Sequence, residues 1–166
     1  MLYLICGLPG TGKTKVANEL ASLTGGVHLR TDEIRRQIFS DPAYTPGEKE
    51  RVYEAMFRTA GSVLKTGTDV ILDATFYNRE KREEAKKLAK MAGTEMVVIE
   101  VVCDEKTAED RLRKRKGDAS DADFEVYRKV KSEWEPVKEK HFVIFTDRQK
   151  SRDELRKILC KLQAPK

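Results

Sequence analysis

Cysteine is scarce in this chain and does not cluster: Cys6, Cys103 and Cys160 lie far apart, each in an apolar run. No zinc-ligand spacing and no disulfide framework can be built from them. They read as reduced packing residues of a cytoplasmic protein with no disulfide-linked partner. Long apolar runs are missing too. Leu2–Cys6 meets Gly7 at once, and Glu100 interrupts the longest stretch, so neither a membrane span nor a secretory leader is expected. Internal repeats and low-complexity tracts are absent. Histidine is limited to His28 and His141, lone residues in or beside apolar runs, and neither is assigned chemistry.

What is abundant is charge. Charged residues make up 37% of the 166, with 33 Lys and Arg against 28 Asp and Glu, a formal net charge of +5. That surplus suits a polyanion such as ATP or a nucleic acid end, and equally a lysine-rich surface. The length suits one domain over residues 1–166.

Two periodicities alternate along the chain. Short runs at Leu2–Cys6, Val27–Leu29, Val70–Leu72, Met96–Val102 and Phe142–Phe145 are apolar without strict alternation, as strands buried on both faces of a parallel sheet are. Between them lie helical patterns. Ala85, Leu88, Ala89 and Ala92 share one face before Gly93. Leu155, Ile158, Leu159 and Leu162 follow a capping box of Ser151 and Glu154. Thr45, Pro46 and Glu48 open another helix as N-cap, first residue and box partner. Such alternation means an α/β fold with helices on both faces of the sheet. Arg113–Asp123, poor in apolar residues, reads as a flap.

Gly7-Leu8-Pro9-Gly10-Thr11-Gly12-Lys13-Thr14 matches the P-loop pattern completely, after an expected strand and before an expected helix. Its glycines let backbone N–H groups approach phosphate oxygens, and the helix N-terminus adds partial positive charge. Lys13 should reach the β- and γ-phosphates of a nucleotide, and the Thr14 hydroxyl should ligate Mg²⁺. Asp73 closes the apolar run Val70-Ile71-Leu72, which places a carboxylate for Mg²⁺ at the ligand-binding edge of a parallel sheet.

The P-loop alone names no reaction. The Asn-Lys-x-Asp segment that reads guanine in switch GTPases is missing, and Ala74 stands where motor ATPases carry a glutamate after the Walker B aspartate. Both absences favour transfer to a bound acceptor over hydrolysis. Asp32, directly after the second strand, can accept the proton of an attacking hydroxyl, and Arg35, one turn on, can clamp an anionic or polar group. Arg111 and Arg115 share a helix face in a basic run ending at Gly117. Both could close over a triphosphate as a lid spanning about residues 111–123.

Together with Asp73-Ala74-Thr75-Phe76 and Arg115-Lys116-Gly117-Asp118-Ala119-Ser120-Asp121-Ala122-Asp123, these segments resemble the ATP-dependent kinases of the AAA_33 group, within the polynucleotide-kinase-like and zeta-toxin-like P-loop kinases. The resemblance runs over nearly the whole chain. It implies a kinase-type P-loop NTPase, a three-layer α/β/α fold with a five-stranded parallel sheet in 2-3-1-4-5 order and a helical lid. It also implies Asp32 as general base and lid arginines within Arg111–Arg115, with ATP and Mg²⁺ as cofactors. The Thr31-Asp32-Glu33-Ile34-Arg35 segment is similar to the acceptor segment of phage-type polynucleotide kinase, so a polynucleotide 5′-hydroxyl is the favoured acceptor. No phosphatase, ligase or tRNA-binding extension accompanies it, so a repair role by itself is not expected.

Acceptor specificity should lie in Ile34–Arg51, where Tyr44 and Tyr53 can stack on a base or sugar and Arg35, Arg36 and Arg51 can meet phosphate. Packing and surface placement explain the same residues, and no base-reading module is visible. Nucleosides, sugars and antibiotics fit as acceptors as well, and an ATP hydrolase or a nucleotide sensor is the alternative to a kinase. Asn78, Arg79 and Arg82 are further candidates for the cleft wall.

Overall fold

The first strand, β1 (Leu2–Cys6), is buried along its whole length. Successive side chains of a strand point to opposite faces. Here Leu2, Leu4 and Cys6 enter one core, and Tyr3 and Ile5 enter another. A strand apolar at every position therefore needs helices on both sides of its sheet. The computed structural model describes residues 1–114, 122–148 and 150–163.

Among these residues β1 is followed by α1 (Lys13–Thr24), β2 (Val27–Arg30), α2 (Thr31–Ile38) and α3 (Pro46–Leu64). Next come β3 (Val70–Asp73), α4 (Arg79–Met91), β4 (Met96–Val102) and α5 (Glu105–Lys114), then α6 (Phe124–Ser132), β5 (His141–Phe145) and α7 (Ser151–Gln163). All strand pairs are parallel and the order is β2-β3-β1-β4-β5, as the resemblance implies. α3 and α4 cover one face through Met56, Ala60, Ala85 and Ala89. α1 and α7 cover the other through Val16, Leu20, Leu155 and Ile158. No described helix is long and apolar enough to cross a membrane.

Three strands extend one residue beyond their apolar runs, to Arg30, Asp73 and His141. The backbone ladder pairs regardless of side-chain polarity, and the first two of these polar ends belong to the site. The cap of α3 forms as expected at its N-terminus, where Thr45 accepts from the Glu48 N–H at 3.2 Å behind Pro46. The reciprocal bond is replaced: the Glu48 carboxylate accepts from the N–H groups of Ala43 (3.0 Å) and Tyr44 (2.7 Å). The box at Ser151 is corrected outright. Ser151 lies inside the first turn of α7 and its hydroxyl donates to Glu19 Oε2 on α1 at 2.5 Å. A charged acceptor offers the stronger bond, so the tertiary partner wins over the local one. Cys6 is buried and Cys103 half-buried, but Cys160 is exposed on α7 and is no packing residue.

Candidate active site

Sheet register decides what meets at the carboxyl edge. Ile5 and Arg30 both pair with Asp73, so β1, β2 and β3 end level with one another. The loop after β1, the start of α2 and the Asp73 carboxylate therefore face one crevice. It is a cleft of about 750 Å³ whose lining includes Lys13, Thr14, Asp32, Arg35 and Asp73.

The phosphate loop is shaped from outside as well as inside. Gly7 has φ 147°, and a Cβ there would sit 2.3 Å from the Val101 carbonyl oxygen of β4; its N–H donates to Thr75 O at 3.2 Å. At Gly10 (φ 79°) a Cβ would meet Ala108 O of α5 at 2.8 Å. These two glycines thus let β4 and α5 approach the loop, in addition to clearing space for phosphate. Leu8 tucks against Ala108 and Leu112, and its carbonyl accepts from Thr11 Oγ1 (2.8 Å) and Lys13 Nζ (2.9 Å). Pro9, Gly10 and Gly12 complete the loop side of the cleft.

Asp73 is almost wholly buried and its Oδ2 is the meeting point of three groups. Thr14 Oγ1 donates to it at 2.8 Å, His28 Nε2 lies 3.2 Å away and Arg30 Nε 4.0 Å. The other ring nitrogen of His28 is 2.9 Å from Asn18 Oδ1 on α1. Sequence reasoning assigned His28 no chemistry; the structure sets it against the Asp73 carboxylate. The one available signal was its place two residues before Arg30, on the same face of β2. Thr14 and Asp73 offer adjacent hard oxygen donors of the kind Mg²⁺ takes. Among the described residues no group of three or more His, Cys, Asp or Glu gathers to hold a metal. An ion here would complete its shell with phosphate and water oxygens.

Asp32 occupies the first turn of α2, whose N-cap is Arg30, and its carboxylate is 3.6 Å from the Arg30 guanidinium. Arg35 is buried, 3.5 Å from Glu48, with its guanidinium 4.9 Å from the centre of the exposed Tyr44 ring. Arg111 stands apart from the cleft. It donates to Thr146 Oγ1 (2.8 Å) and O (3.1 Å), and to the carbonyls of Thr11 (3.3 Å) and Gly10 (3.5 Å), which braces the loop from behind. Arg115 and the Gly117–Asp121 stretch lie outside the described residues.

Of the weaker wall candidates, Asn78 lines the cleft and caps α4, whereas Arg79 is exposed. Arg82 is a correction: it is a buried strut bonded to Phe76 O and Pro136 O. Tyr53 is corrected likewise. It lines the cleft but is only 3% exposed, its ring packed among Phe57 and Phe76, which leaves too little face for a base to stack on. Arg36 is exposed, and Arg51 lies over the Phe39 ring at 5.0 Å. Lys49 and Glu50 of α3, within the expected specificity segment Ile34–Arg51, line the far wall, which also holds residues that sequence reasoning missed: Tyr77, Lys81 of α4, Lys129 of α6 and Glu133 at its C-cap. No local pattern marks them, because α3, α4 and α6 converge only in the fold.

The family model AAA_33, an AAA domain, matches residues 2–137. Uncharacterized protein Rv2004c of Mycobacterium tuberculosis is 33% identical over 139 residues, 75% of this chain, and the chain spans 28% of that relative's length. Kti12 of Chaetomium thermophilum in complex with ADP-AlF3 superposes with TM-score 0.77 at 19% identity, over 99% of this chain and all of that one. The Mycobacterium tuberculosis APS kinase CysC with AMPPNP and APS gives 0.73 at 16% identity, over 98% and 97% of the two chains. A gluconokinase from Sinorhizobium meliloti gives 0.69 at 16%, over 96% and 90%. The kinase-type P-loop fold expected from the motifs is the fold these structures share.

Proposed function

Because the chain belongs to the AAA_33 family of AAA domains, with a kinase-type P-loop fold, we propose that residues 1–166 form one cytoplasmic, ATP-dependent kinase domain acting on a hydroxyl acceptor. The observation that carries the reading is Asp32 facing the Lys13, Thr14 and Asp73 groups across one cleft.

Lys13 exchanges Leu8 O for the β- and γ-phosphates, and the N–H groups of the loop and of the first turn of α1 hold their oxygens. Thr14 and Asp73 hold Mg²⁺, which when bound neutralises charge on the phosphate oxygens. Asp32 accepts the acceptor's hydroxyl proton. The hydroxyl oxygen bonds to the γ-phosphorus as the bond from that phosphorus to the β,γ-bridging oxygen breaks, and ADP leaves. Arg35 orients the acceptor. Arg111 acts on the triphosphate through the loop that it braces by way of Thr146 and the Gly10 and Thr11 carbonyls, and Arg115 is the lid arginine of this reading.

The walls contributed by α3, α4 and α6 favour a small acceptor held at the end of the cleft. A polynucleotide 5′-hydroxyl is the second reading, favoured by Tyr44. That ring is 52% exposed, over the Arg35 guanidinium, and could take a terminal base.

The test follows labelled γ-phosphate from Mg-ATP into a panel of small hydroxyl compounds and 5′-hydroxyl oligonucleotides. Asp32→Asn should reduce transfer roughly 10²-fold or more while ADP affinity holds. Equal transfer by wild type and variant would refute Asp32 as the base. Free phosphate without any phosphorylated acceptor would refute the kinase.

A further inference from the structure

Lys49 is a partly buried cation of the cleft lining. Its ammonium is half-buried, its hydrogen bond goes to the Tyr77 hydroxyl, and it lies 3.8 Å from the centre of that ring. No carboxylate pairs with it among the described residues. The neighbouring cations differ. Lys81 is neutralised by Glu50 at 2.6 Å and Glu84 at 2.9 Å, and Arg35 faces Glu48. Burial pushes the Lys49 amine below the ordinary lysine range; Glu133 opposes this, while Lys81, Arg35 and Lys129 push the same way. Glu133 is itself exposed.

A partly desolvated ammonium with no carboxylate in contact is unfavourable unless a counter-charge arrives. Lys49 lines the cleft from α3, against Tyr77 in the loop after β3. Resting on the kinase reading above, we propose that Lys49, braced by Tyr77, binds an anionic group of the acceptor, which is a small hydroxylated acid bearing a carboxylate or a phosphate monoester. Aminoglycosides, which are cationic, would meet Lys49 and Lys129 with the wrong sign. The cleft of about 750 Å³ must also admit the transferring phosphate, which suits an acceptor the size of a sugar acid. Tyr77 fixes the ammonium in place, so the anion meets a preorganised charge and little side-chain ordering is lost on binding.

Acceptor-dependent ADP release is measured with matched pairs: glycerol against D-glycerate and glycerol 3-phosphate, and D-glucose against D-gluconate and glucose 6-phosphate. Kanamycin and a 5′-hydroxyl oligonucleotide complete the panel. Acids should be phosphorylated in preference to their neutral partners by about tenfold or more in kcat/KM, and the carboxylate and phosphate arms identify which anion is read. Lys49→Gln should raise KM for the preferred acid about tenfold with kcat and fluorescent-ADP affinity within twofold, and Lys49→Arg should restore part of the loss. Neutral polyols used as well as acids, or transfer to kanamycin or the oligonucleotide alone, would overturn this inference and keep the kinase. An acid accepted equally well by Lys49→Gln would overturn the subsite. No transfer to any member, with nucleotide still bound, would overturn the kinase reading and this inference with it.

Discussion

Replacing Arg82 by methionine tests how the acceptor wall is held. Arg82 is 1% exposed; NH1 donates to Phe76 O at 2.8 Å, NH2 to Pro136 O at 3.1 Å, and Nε lies 3.5 Å from the Glu139 carboxylate. Those contacts tie the loop after β3, where Phe76 sits at φ 45°, to the segment leading into β5. Methionine keeps the aliphatic stem and removes two hydrogen bonds from a charged donor, about 1.5–3 kcal/mol each. It also strips the counter-charge from Glu139, and breaking a buried pair costs about 3–5 kcal/mol. The two estimates count the same guanidinium, so the expected loss is about 3–5 kcal/mol, a fall in Tm of roughly 10 °C for a chain of this length. Urea unfolding followed by circular dichroism measures it, with an unchanged slope showing that stability alone moved.

The pH dependence gives a second check. Burial disfavours the Glu139 carboxylate, but its backbone hydrogen bonds and the Arg82 charge prevail and hold it below the ordinary value of 4.5. A carboxyl depressed in the folded state stabilises above its unfolded value, and that contribution is lost as pH falls below it. The gap between wild type and Arg82→Met should therefore narrow in acid below about pH 4.5, and adding Glu139→Gln to the variant should recover part of the loss. A loss under about 1 kcal/mol at pH 7, or a gap that widens in acid, would refute the strut.

His28→Leu should weaken the Mg²⁺ dependence of fluorescent-ATP binding roughly tenfold, the effect of losing a partner that orients a metal-binding carboxylate, with metal-free ADP binding unchanged. Arg111→Met should lower ADP affinity about tenfold, or 1.4 kcal/mol, in equilibrium titration, because the loop loses its brace on Thr146. Iodoacetamide at pH 8 should modify exposed Cys160 and spare Cys6 in the folded protein, as mass spectrometry of the peptides would report. Burial pushes the Cys6 thiol up to about 12 and the Tyr3 phenol likewise to about 12, chiefly by desolvation. Both are then stabilising at neutral pH. That contribution fades as pH rises past the ordinary values of 9 and 10, so Tm should fall between pH 9 and 12.

The strand runs and the P-loop were legible because each is local: a buried strand needs its own apolar residues, and eight consecutive residues build the phosphate cradle. Asp73 and Asp32 were legible through their place at strand ends, which in any parallel sheet is the ligand edge. Partnerships across the fold were not. Ser151 carried the local signature of a box with Glu154 and bonded Glu19 instead, 132 residues away. His28 looked idle until parallel register set it 3.2 Å from Asp73. Arg82 looked like a candidate for the cleft wall and proved a buried strut behind it. Lys49 lay unremarked within Ile34–Arg51 until the fold set it against Tyr77. The sequence by itself determined the phosphate loop and its place at the strand edge, where local backbone conformation does the shaping. Only tertiary structure decided the far wall of the cleft, because its charges are balanced or left unbalanced by residues that no short stretch of chain brings together.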